Sequence, residues 1–280
     1  MIIRPPAVSG TFYPADPTLL SLQVDRLLEG QEPHRLSGSI VGIVAPHAGY
    51  MYSGYTAASV YAQLRGRGIR TAVIVSPSHR EYFNGISIYE GDAYRTPLGI
   101  VEVDKPLRER LLKHKGAFML SKFGHRDEHA IEVQLPFLQR VNEDVKILPI
   151  VMGDQRGELC SMLGDILGEA VDRDDVVIIA SSDLSHMYEG AVANAMDAVA
   201  SDDIAALSST ALLQHLASGK TEACGGGPVS AVMHASMLRG ADTATVLHRC
   251  TSGDATGDQS RVVGYLSAAF TRSARQDRND

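Results

Sequence analysis

Four short segments of the chain are apolar at nearly every position, a pattern typical of strands buried on both faces of a parallel sheet. They are Ser39–Ala45, Thr71–Ser76, Val145–Met152 and Asp175–Ser181. Two later segments, Thr243–Cys250 and Arg261–Phe270, are also apolar and rich in β-branched residues, and the Gly- and Asp-rich stretch Thr251–Gln259 joins them. We predict that these last two strands pair with each other in the antiparallel sense.

Segments with helical periodicity lie between the strands. Asp16-Pro17 is a helix start signal, and we interpret the following Leu19, Leu22, Leu27 and Leu28 as one buried helical face. Further helices are predicted over Thr56–Leu64, over Pro106–Leu112, and over Glu128–Val141 with Asp127 as its cap and a kink at Pro136. The alternation predicts an α/β fold, with a mainly parallel central sheet and helices on both faces.

Composition narrows the class of protein. The 280 residues carry a net charge of -7 and are 44% hydrophobic, which suits a globular α/β protein and disfavours a nucleic-acid surface. Only three cysteines occur, which favours a reducing compartment, and the amino terminus does not resemble a signal peptide. No apolar run approaches the roughly eighteen residues that span a bilayer. We therefore predict a cytoplasmic protein with one domain over residues 1–270 and a disordered polar tail over 271–280.

Three predicted strands deliver a histidine just past their carboxyl ends. Pro46-His47 follows the first, Pro77 and His79 follow the second, and Asp183 and His186 follow the fourth. Proline ends a strand and narrows the backbone of its neighbours, so a side chain close behind it is held in place. Because ligands of open α/β sheets bind at the carboxyl ends of the strands, we expect these side chains to meet.

A glycine-rich stretch supplies a further candidate. Cys224 precedes Gly225–Gly227 and Pro228, which lead into an apolar helix. A position near a helix amino terminus lowers the pKa of a thiol, so we expect Cys224 to be a thiolate. Two imidazoles and a thiolate are good ligands for Zn(II), Fe(II) or Cu. Asp183 and His186 would then supply base chemistry or orient the ligands.

Other polar residues have simpler interpretations. The segment from His125 to His129 resembles the solvated start of a helix, and Glu128 and Glu132 resemble a charged surface pair. Tyr50 and Tyr52 follow His47 in a stretch of glycine and tyrosine that we interpret as a loop; they either line a pocket or pack in the core. Cys160 and Cys250 are interpreted as buried apolar side chains.

Taken in order, these stretches resemble the Memo family, which includes the prokaryotic proteins called AmmeMemoRadiSam system protein B. The matching motifs are Ser9–Tyr13 (SGTFY), Ala45–Tyr50 (APHAGY), Pro77–His79 (PSH), Tyr94–Gly99 (YRTPLG), Asp127–Phe137 (DEHAIEVQLPF), Ser181–His186 (SSDLSH) and Ala223–Pro228 (ACGGGP). They occur in family order from residue 9 to about residue 265.

The resemblance implies a fold similar to that of class III extradiol ring-cleaving dioxygenases. It implies His47, His79 and Cys224 as metal ligands, iron as the metal, and Asp183 and His186 beside it, with His186 in the place of the dioxygenase base. It also implies a pathway shared with AMMECR-type and radical-SAM proteins, and animal relatives are linked to motility signalling and to iron or copper handling. Candidate substrate-binding residues are Tyr50, Tyr52, Glu128 and His129.

Three functions remain open from the sequence. The first is an Fe(II)-dependent enzyme of oxygenase type, acting on an unknown small molecule, in which His186 moves a proton. The second is a binding or adaptor protein that recognises a peptide or sequesters metal without turnover. The third is a zinc hydrolase, since two histidines, a cysteine and water form an acceptable catalytic zinc site. A thiolate replaces the carboxylate of the usual iron triad, so ring cleavage does not follow from the fold.

Overall fold

A computed structural model describes residues 1–31 and 36–273 of the chain. The strands are β1 (Ile3–Arg4), β2 (Ser39–Ala45), β3 (Thr71–Pro77), β4 (Ile86–Tyr89), β5 (Ala93–Thr96), β6 (Gly99–Glu102), β7 (Met119–Ser121), β8 (Lys146–Met152), β9 (Val176–Ser181), β10 (His186–Tyr188), β11 (Thr243–Thr251) and β12 (Val262–Arg272). The α-helices are α1 (Pro17–Glu29), α2 (Tyr50–Tyr61), α3 (Lys105–Leu111), α4 (Leu135–Val141), α5 (Gly157–Ala170), α6 (Gly190–Ala205), α7 (Ser209–Ala217), α8 (Gly226–Leu238) and α9 (Ser252–Thr256). Short 3-10 helices cover Ala62–Leu64 and Glu132–Gln134.

The larger sheet has the order β10-β12-β2-β9-β3-β8-β4-β7, and β11 pairs with β12. Its centre is parallel, since β9 pairs in parallel with β2 and β3, and β3 with β8. The strands β10, β11 and β12 add antiparallel pairs on one side, and β4 does so on the other. A small second sheet has the order β1-β5-β6. The predicted mainly parallel α/β sheet is confirmed, as is the antiparallel pair near the carboxyl terminus.

Helices cover both faces of the central strands. Every residue of β3 and β9 is buried, which requires apolar cover above and below the sheet. Helix α8 packs against β2, β3 and β9, and it also contacts α5. Helix α2 packs against β2 and β12, and it also contacts α1 and α4. Within the described ranges, no helix combines the length and the apolar character needed to cross a bilayer.

The buried face of α1 differs from the predicted one. Leu19 and Leu22 are 59% and 49% exposed, whereas Leu20, Val24 and Leu28 are buried. The buried residues are spaced by four, as one helical face requires, and Leu19 and Leu22 fall outside that stripe. The start signal was interpreted correctly, because the Asp16 side chain accepts a hydrogen bond from the backbone of Leu19.

Two predicted loops contain helices. The Gly-Tyr stretch behind His47 is the first turn of α2, which begins at Tyr50. The predicted loop between the last two strands contains α9, where Thr251 and Asp254 form a capping box. Strand β12 ends at Arg272, two residues beyond the predicted domain end; positions 274–280 of the predicted tail lie outside the described residues. The single domain stays a prediction.

The predicted helix over Glu128–Val141 is shorter than expected. Asp127 caps no helix there: the chain passes from turns into the 3-10 helix, and α4 begins only at Leu135. Pro136 lies in the first turn of α4, where its missing N–H costs no hydrogen bond, so it causes no kink. The residues before α4 are therefore free to turn their polar side chains toward the strand ends.

Candidate metal centre

His47 lies at the carboxyl end of β2 and is 2% exposed. Its backbone N–H donates to Oδ1 of Asp183, which follows the neighbouring strand β9, at 2.8 Å. Its ring nitrogen Nδ1 lies 2.9 Å from the hydroxyl of Ser181, the last residue of β9. The parallel pairing of β2 with β9 therefore fixes both the backbone and the ring of this histidine.

The surroundings of Ser181 determine which nitrogen of His47 carries the proton. The hydroxyl of Ser181 donates to the carbonyl of Ala130 at 2.7 Å and accepts from the side-chain amide of Gln134 at 2.9 Å. Its only proton is thus used, so toward His47 it can act only as an acceptor. Nδ1 of His47 must then carry the hydrogen, and Nε2 keeps a free lone pair for a metal.

His79 is held in the same way by a carboxylate. It lies two residues beyond the end of β3, and its Nδ1 is 3.0 Å from Oε1 of Glu128. Its backbone N–H donates to Oε2 of the same side chain at 2.6 Å. Because the ionised carboxylate is an acceptor, Nδ1 carries the hydrogen and Nε2 is again the free nitrogen.

Cys224 lies two residues before α8, and its Sγ is 3.1 Å from Nε2 of His47. The backbone N–H of Asp183 donates to this sulfur at 3.3 Å. Gly225 is required beside it, because a Cβ there would lie 2.4 Å from the carbonyl oxygen of Ser181. The glycine-rich stretch thus lets the cysteine loop approach the end of β9 closely.

The donor atoms of His47, His79 and Cys224 all lie within 4.8 Å of one another. Two bonds of about 2.0–2.3 Å to one metal ion span up to about 4.6 Å, so small side-chain movements would let one ion bind all three donors. The free Nε2 lone pairs and the sulfur that accepts an N–H are donors of the type that Zn, Fe and Cu bind. The residues therefore fit a transition-metal ion.

Burial sets the protonation of these groups in the metal-free chain. It lowers the pKa of His47 to about 3, with help from the positive field of His79, so His47 is neutral at pH 7. Burial raises the pKa of the Cys224 thiol well above its usual range, and the nearby Asp183 adds to this. The expectation of a low-pKa thiol at a helix start is wrong for the metal-free state, because desolvation outweighs the hydrogen bonds from Asp183, Ser182 and Gly225 that lower the pKa. A bound metal would instead deprotonate the sulfur.

A third imidazole, that of His129, faces the two histidine ligands. Its ring centroid lies 5.4 Å from that of His47 and 4.7 Å from that of His79. Burial and the positive field of His47 lower its pKa to about 4. Its Nδ1 is buried and has no hydrogen-bond partner among the described residues. The structure thus brings His129 to the ligand cluster, where the donor atoms of His79, Glu128 and His129 form a second group within 4.8 Å of one another.

The other proposed substrate-binding residues lie in different places. Tyr50 is buried and its hydroxyl donates to the carbonyl of Val133 at 2.6 Å, so it packs in the core. Tyr52 is 37% exposed and lines a cavity of about 360 Å³ with Met187 and Tyr265. Glu128 is 1% exposed and lies behind His79.

Asp183 and His186 flank the cluster at the end of β9. Asp183 is 5% exposed, and one of its oxygens lies 4.0 Å from Nε2 of His47. Burial raises the pKa of its carboxyl, against the lowering effect of the hydrogen bond from His47 and of the nearby His186. His186 is partly buried at the start of β10 and is not part of the donor clusters found in the described ranges.

The segment from His125 to Glu132 is mostly buried, with only Arg126 and Asp127 exposed, and is not the solvated helix start that was expected. His125 and Glu132 are fully buried, which also contradicts the interpretation of Glu128 and Glu132 as a surface pair. The buried Arg4 of β1 pairs with Glu132 and donates to the carbonyls of His125 and Glu128. This ion pair anchors the segment against the amino-terminal strand.

Sequence reasoning missed Ser181 and Gln134, which set the orientation of His47. Both are fully buried polar residues. Gln134 also donates to the carbonyl of Pro46 at 3.0 Å and accepts from Tyr61 at 2.7 Å. A polar amide in an otherwise apolar stretch was the available signal, because a buried amide needs partners.

Comparisons with known proteins agree with the motifs. A family model described as Memo-like protein matches residues 4–269. A MEMO1 family protein of Methanothermobacter thermautotrophicus is 38% identical, over 94% of this chain and 99% of the relative. Others from Methanosarcina barkeri (40%, over 95% and 98%) and Aquifex aeolicus (37%, over 96% and 100%) are similar.

One solved structure, that of an uncharacterized protein of Escherichia coli K12, superposes with a TM-score of 0.52. It is 14% identical, and the match covers 82% of this chain and 99% of that chain. At this identity the likeness supports the fold alone.

Proposed function

The chain belongs to the Memo family, and we propose that it functions by binding one transition-metal ion through His47, His79 and Cys224. The observation that carries this proposal is the convergence of three donor atoms within 4.8 Å of one another. The hydrogen bonds at Nδ1 of both histidines support it, because each leaves Nε2 free.

Iron(II) is the metal we propose, with copper or zinc as alternatives. Imidazole suits all three metals, and a thiolate ligand suits the softer ions among them. When bound, iron would supply one-electron and dioxygen chemistry. We propose a redox enzyme of oxygenase type, with an unknown small molecule as its substrate.

The side chains around the ligands would handle protons. His129 is neutral at pH 7 and faces the ligand rings, so it can accept a proton from a substrate bound there. Asp183 is a buried carboxyl with a raised pKa, so it can hold a proton beside His47. His186, at the start of β10, would shuttle a proton to or from the bound substrate.

The test is purification under anaerobic conditions, metal analysis, and dioxygen uptake against a panel of catechols and small metabolites. We expect about one iron per chain, with iron lost in His47→Ala and His79→Ala. Iron without turnover would favour the binding or adaptor function. Zinc in place of iron, together with hydrolysis of model esters, would favour the hydrolase. No stoichiometric metal under any loading condition would refute the proposed site.

A further inference from the structure

Glu128 is a buried carboxylate without a fixed cation. It is 1% exposed, and the basic groups within salt-bridge distance among the described residues are the rings of His79 and His129. Across residues 1–31 and 36–273, no lysine or arginine forms a salt bridge with it; Arg4 contacts only its backbone carbonyl. Buried charges are normally paired or compensated by a metal. A metal ion bound to His79 would supply such a compensating charge close to Glu128.

Both oxygens of Glu128 accept hydrogen bonds from the protein. Oε1 accepts from the backbone N–H groups of His129 and Ala130 at 2.9 Å and from Nδ1 of His79 at 3.0 Å. Oε2 accepts from the backbone N–H of His79 at 2.6 Å. A side chain held by four N–H donors is ill suited to bind substrate or to become a metal ligand itself. Its geometry fits a rigid support for His79.

We infer that Glu128 is a positioning residue that acts through His79 on the bound metal, an inference that rests on the proposed metal site. Its carboxylate fixes the ring so that Nε2 points to the metal, and its charge makes that nitrogen a stronger donor. The same charge compensates a divalent ion in a buried site. Removing it makes the site more positive, which disfavours divalent ions more than monovalent ones.

The experiment compares Glu128→Gln with Glu132→Gln. Glu132 is a matched control because it is fully buried in the same segment, pairs with Arg4, and does not touch His79. Affinities for Zn²⁺ and Co²⁺ are measured by chelator competition at pH 7, with circular dichroism and thermal unfolding as controls for the fold. We expect Glu128→Gln to weaken binding of both ions by about 10–100-fold. Glu132→Gln should lower stability without changing these affinities.

A double-mutant cycle tests whether the effect passes through His79. In a His79→Ala background, where His47 and Cys224 leave a weak residual affinity for Zn²⁺, Glu128→Gln should have a much smaller further effect than in the wild type. An equal loss of affinity in both backgrounds would overturn the inference, as would an equal loss in Glu132→Gln. So would a second equivalent of Zn²⁺ that binds the wild type and is lost in Glu128→Gln, because Glu128 would then be a ligand.

A measurement on the wild-type chain keeps the inference testable even if the variant unfolds. Nitrogen-15 NMR of the Zn²⁺-loaded protein should show His79 with its hydrogen on Nδ1 and the metal on Nε2. The opposite tautomer would refute the role of Glu128. If the wild type binds no metal at all, the proposed function fails; if it binds and Glu128→Gln binds as tightly, only the role of Glu128 fails.

Discussion

Ser181→Ala tests whether the protein prepares the tautomer of His47 for a metal. Ser181 is fully buried and its hydroxyl joins three groups: Nδ1 of His47, the amide of Gln134 and the carbonyl of Ala130. The variant removes all three hydrogen bonds at once. Because Gln134 retains its bond to Pro46, the main losses fall on His47 and Ala130.

The expected cost follows from these contacts. A hydrogen bond contributes about 0.5–1.5 kcal/mol, and leaving a buried group unpaired costs about 1–3 kcal/mol. The metal-free variant should therefore lose about 2–4 kcal/mol of unfolding free energy. Without Ser181, the hydrogen of His47 can move to Nε2, and metal binding must move it back. With about 1.4 kcal/mol per tenfold change in affinity, we expect metal affinity to fall by about 10–100-fold.

Ser87→Ala is the matched control. Ser87 is also fully buried in a strand of the main sheet, but its hydroxyl has no hydrogen-bond partner among the described residues. Its removal should change the free energy of unfolding little and leave metal affinity unchanged. Stability is measured by urea denaturation of the chelator-treated protein, and affinity by Zn²⁺ competition. Our account of the His47 tautomer is refuted if Ser181→Ala matches the wild type in both stability and Zn²⁺ affinity. It is also refuted if Ser87→Ala loses as much stability and affinity as Ser181→Ala.

Further predictions concern the ligands and pH. His47→Ala and His79→Ala should abolish tight metal binding. The circular dichroism spectrum should stay native, because apolar side chains pack the sheet. Unfolding of both variants would mean that these histidines are structural. In the metal-free protein, Cys224 should react slowly with iodoacetamide, since burial raises the pKa of its thiol; fast, selective labelling followed by mass spectrometry would contradict this. Zn²⁺ binding should release about one proton near pH 7–8 from the Cys224 thiol. Calorimetry in buffers of different ionisation enthalpy counts the protons. The metal-free protein should lose stability as pH falls from about 6.5 to about 4. Burial lowers the pKa of His47 and His125 to about 3 and that of His129 to about 4 in the folded chain. The unfolded chain therefore binds more protons than the folded chain in that pH range. A urea midpoint that does not change with pH between about 6.5 and 4 would refute the lowered pKa values of these three histidines.

Local patterns in the sequence determined the strands and the metal-ligand candidates. Continuous apolar runs located the four central strands to within a residue or two, because a strand covered on both faces must be apolar at every position. Pro46 and Pro77 each mark a strand end with a histidine close behind. The meeting of His47, His79 and Cys224 followed from the general geometry of parallel sheets.

Only the tertiary structure decided how the ligands are prepared. His47 and Ser181 are separated by 134 positions, and His79 and Glu128 by 49, so no local pattern reveals these contacts. The sequence predicts Glu128 and Glu132 as a charged surface pair, whereas the ion pair between Arg4 and Glu132 holds that segment in the core. The protonation of Cys224 depends likewise on the protein packed around it. Burial and long-range hydrogen bonds are properties of the folded chain, and they determine the chemistry of residues whose identities the sequence had already indicated.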